Sequence, residues 1–172
     1  MQKKIAQTDS VLALGYSYQS KLMRVASGPY LGRRVALFQS SNNEIRLSWS
    51  DSPATSWSAS QTVVSGATYE TFDCCMDSDN NIILAYTDNS TNYLTSRKLT
   101  FSNGQWTAGS PVVIYNGNPG FDPSLAVDSD GVIWLSWSRF VSPVRRIDVK
   151  SSSDGGATWG TGPEDPGDEI QG

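Results

Sequence analysis

The segment Ser152-Ser153-Asp154-Gly155-Gly156-Ala157-Thr158-Trp159 follows the spacing S-x-D-x-G-x-T-W, and each residue type has a local reason to be there. An aspartate carboxylate accepts hydrogen bonds from the backbone N–H groups of a turn, and glycines reach positive φ without steric cost. The tryptophan recurs. Trp57, Trp106 and Trp159 stand 49 and 53 residues apart, each at the end of a polar, turn-rich stretch. A period near 50 residues marks an array of repeated supersecondary units, and this constrains the fold more than any other feature of the chain.

The repeats can be superposed over most of their length. Thr62-Val63-Val64-Ser65-Gly66 matches Val112 to Gly117, Phe72-Asp73 matches Phe121-Asp122, and Met76-Asp77-Ser78-Asp79-Asn80 matches Val127-Asp128-Ser129-Asp130-Gly131. Apolar runs follow, Ile82 to Tyr86 and Val132 to Trp137. Four short strands per period, separated by D-S-D-N, D-S-D-G, S-N-G and D-G-G turns, predict an all-β chain of meandering sheets. Apolar residues at i, i+3 and i+4 persist nowhere over a helix's length, whereas β-branched and aromatic residues are common.

The S-x-D-x-G-x-T-W segment resembles the Asp-box of sialidases and other proteins with BNR repeats; two degenerate echoes lie upstream. In that sialidase-like superfamily the motif is the hairpin turn between the third and fourth strands of a β-propeller blade, with its tryptophan wedged between neighbouring sheets. The resemblance implies a single propeller-type domain, 1–172, of about three four-stranded antiparallel blades over 16–66, 67–117 and 118–160. Asp51-Ser52-Pro53-Ala54-Thr55-Ser56 would be a degenerate hairpin of the first blade. Residues 10–15 read as an outer strand exchanged with another blade. The third blade lacks a fourth strand, because 161–172 is an acidic, Pro/Gly-rich tail. Known rings have about four to eight blades, so three do not close. The expectation is half of a six-bladed ring, completed by a second copy in a homo-oligomer, a dimer foremost, or by sequence beyond this chain.

Charge and composition narrow the partners. The net charge is −4, without any run of Lys or Arg, which argues against nucleic acid. No stretch of about 18 apolar residues suggests insertion in a membrane. Lys3-Lys4 is not followed by an apolar segment, so no signal peptide is visible. The resemblance nevertheless implies an extracellular or virion-surface setting. Cys74 and Cys75 are adjacent, which suits two small residues of a buried strand better than a disulfide or a zinc site. There is no histidine, which removes Ser-His-Asp hydrolysis and His-based metal sites. No cofactor or metal is expected. Calcium at the two D-S-D turns is the rival to simple turn formation by Asp77, Asp79, Asp128 and Asp130.

A four-stranded meander puts its first and third turns at one end and its second turn and exit at the other. The Asp-box residues Ser152, Asp154, Gly156, Thr158 and Trp159, and both D-S-D turns, fall at the first end as structural elements. The opposite end gathers Tyr69, Glu70, Asp73, Asp88, Tyr115, Asp122, Arg139, Phe140 and Arg145 as candidate ligand-binding residues. Asp73 and Asp122 would share one repeat position and point to the channel mouth. Acids, arginines and aromatics around a shallow mouth suit sugars, which offer hydroxyls to the polar groups and C–H faces to the rings.

No catalytic residue can be carried over from the resemblance. A sialidase of that family needs three arginines on the substrate carboxylate, a Tyr nucleophile paired with a Glu, and an acid/base Asp. The Arg-Ile-Pro element is absent: Arg33-Arg34 precede Val35-Ala36, and Arg145-Arg146 precede Ile147-Asp148. Tyr69 and Glu70 are neighbours in sequence rather than convergent from separate blades. The expected function is therefore carbohydrate or surface recognition without a complete catalytic set. One alternative is a fragment of an exo-acting glycoside hydrolase, for which paired acids such as Asp73 and Asp122 are minimal equipment. Another is a structural assembly protein of a virion or cell surface.

Overall fold

The computed structural model describes residues 21–40, 43–53, 55–117 and 121–160, and these contain eleven strands and no helix. The first sheet comprises β1 (Leu22–Arg24), β2 (Arg34–Gln39), β3 (Glu44–Ser50) and β4 (Gln61–Ser65). The second comprises β5 (Ala67–Met76), β6 (Ile82–Asp88), β7 (Leu94–Ser102) and β8 (Gln105–Tyr115). The third holds β9 (Phe121–Val127), β10 (Ile133–Val141) and β11 (Val144–Ser152). Each sheet is an antiparallel meander in chain order. The period thus becomes one sheet per repeat, and every expected strand among the described residues is present. Residues 10–15 and the tail 161–172 lie outside the described residues.

The sheets stack face to face with like strands adjacent, β5 beside β9 and β4 beside β8. Two apolar seams result. Val35, Leu37, Ile45 and Leu47 of the first sheet meet Phe72, Cys74, Ile82, Leu84, Tyr86 and Trp106 of the second. Cys75, Ile83, Ala85, Leu94 and Ile114 on its other face meet Leu125, Ile133, Leu135, Trp137 and Trp159. The middle sheet is therefore covered on both faces, which explains why β6 reads as an unbroken apolar run. By contrast β10 alternates, Ile-Trp-Leu-Ser-Trp-Ser: one face is buried in the seam, while Trp134, Ser136 and Ser138 are only half-buried.

Polar clamps pin the seams. Trp106 donates its indole N–H to the Asn80 carbonyl at 2.9 Å within the second sheet, and across the second seam Trp159 donates to Ser96 Oγ at 2.9 Å. Arg33, 5 % exposed, lies 3.9 Å from the Trp49 ring centroid and donates across the first seam to the Gly104 carbonyl. Its other nitrogens hold Asp51 at 2.7 and 3.0 Å. The aspartate of the degenerate first hairpin therefore holds an arginine.

Gly104 sits with Asn103 in the two-residue turn between β7 and β8, with φ of 78° and 51°. That turn needs positive φ at both places, and a Cβ on Gly104 would strike the Tyr30 ring.

Candidate functional site

The meander order places the turns Asp77–Asn81, Asp128–Val132 and Ser152–Trp159 at one end of the stack and the loops after β2, β4, β6, β8 and β10 at the other. At the first end Asp77, Asp128 and Asp154 are consumed by their own turns. Asp77 Oδ1 accepts the N–H groups of Asp79 and Asn81, and its Oδ2 accepts Asn81 Nδ2. Asp128 accepts from Asp130, Val132 and the Trp134 indole. The Trp134 bond, first among these, holds the Asp128 carboxyl below the usual carboxylate range.

Asp154 Oδ1 accepts the Thr158 N–H at 2.9 Å and the Ser152 hydroxyl at 2.8 Å, while its Oδ2 accepts the Thr158 hydroxyl at 2.5 Å. These bonds, those from Thr158 foremost, bring its pKa down to about 2. Gly155 and Gly156, at φ of 71° and 86°, let the chain turn under the carboxylate. Among the described residues no group of three or more acidic, Cys or His side chains is placed to hold a metal ion.

At the opposite end the expected residues divide. Asp73 is buried, 1 % exposed, and its Oδ2 accepts the Leu125 N–H of β9 at 2.8 Å. It joins two inner strands across the second seam instead of opening onto a mouth. Nor does it share a repeat position with Asp122. Asp73 lies opposite Ala85 and Met76 opposite Ile82; in the third sheet Val127 lies opposite Ile133 and Ser124 opposite Ser136. Counting back from Met76 and Val127, Ser124 holds the place of Asp73. Asp122 falls where the β9–β10 register slips, with φ of 58°.

Asp88 is also a turn former. Its Oδ1 accepts from the N–H and hydroxyl groups of Ser90 and Thr91. Burial alone would raise its pKa, and these bonds outweigh it and hold the carboxyl low. Arg145 is exposed on β11 opposite Phe140. The side chains of Tyr69, Glu70 and Phe140 lie outside the described ones.

Tyr115 and Arg139 do come together. The Arg139 guanidinium carbon lies 5.9 Å from the Tyr115 ring centroid, and its Nε lies 2.5 Å from Asp148 Oδ2. Burial would lower the pKa of Arg139, but the Asp148 carboxylate charge beside it leaves it raised. The Tyr115 ring packs 5.9 Å from Trp137, tilted by 38°. Trp137 is 2 % exposed, and its indole nitrogen has no hydrogen-bond partner among the described residues. Just past β8, Gly117 leaves room for the Tyr115 hydroxyl, which a Cβ there would strike.

Sequence reasoning missed Trp137 and Asp148. The signal existed: Trp137 and Arg139 lie two apart on one strand face, and closing the hairpin at Ser142-Pro143 sets Trp137 opposite Asp148. The resulting group can grip a hydroxylated or anionic ligand, with one partly exposed guanidinium positioned by a carboxylate beside an aromatic ring.

Three stacked four-strand-type meanders with this loop-bearing end define blades of a β-propeller. No protein-family model and no curated protein sequence matches the chain. Solved structures match in fold. An exo-β-1,3-galactanase from Clostridium thermocellum superposes with a TM-score of 0.56 at 14 % identity, covering 81 % of this chain and 33 % of its own. A PL25 ulvan lyase bound to a -[GlcA(1-4)Rha3S]- ligand gives 0.56 at 10 %, covering 88 % and 40 %. An endo-arabinase from Bacteroides thetaiotaomicron gives 0.56 at 16 %, covering 99 % and 67 %. The chain thus spans a third to two-fifths of the galactanase and the lyase. Among the described residues no helix is long and apolar enough to cross a membrane.

Proposed function

We propose that this chain is a sialidase-like Asp-box propeller unit that recognises carbohydrate, working extracellularly, and that it carries no complete catalytic set. The observation that bears the reading is the Tyr115–Arg139–Asp148 group at the loop-bearing end. A guanidinium fixed by one carboxylate keeps N–H groups for a ligand's hydroxyl or acid oxygens, and the half-buried tyrosine ring beside it suits a sugar's C–H face. The turn around Asp154 supports the Asp-box assignment, since its carboxylate serves the donors that the motif supplies. The structures it resembles in fold are named for galactanase, ulvan lyase and arabinase activity, which favours polysaccharide as ligand.

The acids proposed for hydrolysis do not favour an enzyme. Asp73 is buried and committed to Leu125, and so does not pair with Asp122 as a catalytic carboxylate.

A glycan array with the purified chain tests the reading. Binding is expected to fall at least tenfold in Arg139→Ala and in Tyr115→Ala, with no sugar released from the bound glycans. Undiminished binding in both variants overturns the assignment of the site. Hydrolysis of a sialoside, galactan or arabinan reporter would instead establish a glycoside hydrolase.

A further inference from the structure

The Trp137 side chain holds a buried donor without an acceptor. Trp137 is 2 % exposed, and its indole N–H finds no hydrogen-bond partner among the described residues. The tryptophans that mark the repeats differ: Trp106 donates to the Asn80 carbonyl and Trp159 to Ser96 Oγ. A buried indole N–H ordinarily has a partner, because one left unpaired has given up its bond to water for nothing. The Tyr115 ring packs 5.9 Å from Trp137 and 5.9 Å from the Arg139 guanidinium carbon, so the unmet donor adjoins the site already described.

The charged groups around it are mostly donors as well. In the β10–β11 hairpin Trp137 lies opposite Asp148, Arg139 opposite Arg146 and Leu135 opposite Lys150. Residues directly opposite share a face, and Lys150 Nζ donates to the Ile114 carbonyl at 3.3 Å, so this face meets the second sheet. Among the described residues of the third sheet, that face carries three cations and one carboxylate, Asp148. Like charges directly opposite on paired strands repel, yet Arg139 and Arg146 are set that way. Asp148, its Oδ2 at 2.5 Å from Arg139 Nε, offsets one of the three.

We propose that this group receives the acid group of an anionic saccharide, a uronate carboxylate or a sulfate ester, which deepens the carbohydrate reading above and rests on it. An oxyanion offers acceptors alone, matching N–H donors, whereas a sugar hydroxyl also brings a donor, and Asp148 is already engaged by Arg139. Arg139, whose side chain is 27 % exposed, presents its guanidinium to the acid. The Trp137 N–H donates from beneath once the Tyr115 ring yields. The site stands between the outer strands β8 and β11, not at the inner strands β5 and β9 where a propeller's axial mouth would open. The net charge of −4 gives polyanions no general attraction to the chain, so their binding needs a local cationic site.

Calorimetric titration of the 172-residue chain with oligosaccharides of one length, an oligogalacturonate, a sulfated galactan fragment and a neutral galactan fragment, tests this. At least one acidic probe is expected to bind about tenfold tighter than the neutral one, and which of them does so identifies the acid. Arg139→Gln keeps N–H donors but loses the charge, and should bring acidic and neutral affinities to within about twofold of each other. In a heteronuclear NMR spectrum of the parent chain, the Trp137 indole proton is expected to move downfield with the acidic probe, as hydrogen bonding deshields it, and to stay in place with the neutral one. That measurement needs no variant, so a misfolded Arg139→Gln protein does not remove the test. Equal affinity for acidic and neutral probes overturns the acid assignment and leaves carbohydrate recognition standing. Failure of all three probes to bind refutes the proposal, and the glycan array then decides the carbohydrate reading by itself. Acidic binding that survives Arg139→Gln, or that leaves the Trp137 proton unmoved, places the acid elsewhere and overturns the proposal.

Discussion

Replacing Asp73 by alanine separates a structural clamp from a ligand-binding acid. The carboxylate is 1 % exposed and accepts the Leu125 N–H at 2.8 Å, so its removal leaves a buried backbone donor unpaired. A hydrogen bond to a charged acceptor contributes about 1.5–3 kcal/mol, and an orphaned buried donor costs on the same scale. Asp73 also supports the charge of Lys21, a buried ammonium 3.3 Å from the Phe72 ring centroid. The loss should come to about 3 kcal/mol. For a domain of this size that lowers Tm by about 6–12 °C. Urea unfolding followed by tryptophan fluorescence, with the slope m compared between parent and variant, measures it. Asp73→Asn keeps an acceptor oxygen and should recover part of the loss, whereas Asp122→Gly, at a φ of 58° that glycine adopts freely, should stay within about 1 kcal/mol of the parent. An Asp73→Ala protein within about 0.5 kcal/mol of the parent, but without glycan binding, would refute the clamp and restore the acid to a mouth.

Two further outcomes follow from the titrating groups. Burial pushes the Lys21 pKa down to about 8 against the 10.4 or so of an unfolded lysine, so the folded chain binds fewer protons between those values and this residue's contribution to stability rises with pH there. Lys21→Met should stabilise the protein at pH 7 by about 2–3 kcal/mol and abolish that rise. Burial raises the thiols of Cys74 and Cys75, which slope the other way, so the readout is the difference in unfolding free energy between variant and parent from pH 7 to 10.5. Equal alkaline slopes in the two proteins would rule this out. Asp154, lowered to about 2 by its turn, contributes stability that is complete above pH 4 and fades as pH falls toward 2. Because the group is exposed, that contribution is under about 1 kcal/mol after screening. Asp154→Ala should cost about 0.5–1.5 kcal/mol at pH 7, from the lost turn hydrogen bonds, with glycan affinity unchanged. A variant as stable as the parent by calorimetry would contradict the turn's role.

The period, the strand spans and the turn aspartates were legible in the sequence because each depends on residues close together in the chain. A carboxylate two to four residues from its N–H donors forms the same turn in any surrounding, as Asp77, Asp128 and Asp154 do; Asp88, which the sequence reading set among the ligand-binding candidates, obeys the same local rule. Even the half-covered state of the third sheet was written in β10, whose alternation contrasts with the continuous apolar run of β6. What tertiary structure alone decided was the meaning of groups that act across a seam. Asp73 and Asp122 look equivalent when the repeats are laid side by side, but a register slip in the third sheet separates them and burial against β9 turns one into a clamp. Asp148 reaches Arg139 only through hairpin register, and Arg139 reaches Tyr115 only because two sheets stack. Short-range hydrogen bonds fix the local conformation of a chain. Which distant side chains share one desolvated space depends on how the sheets pack.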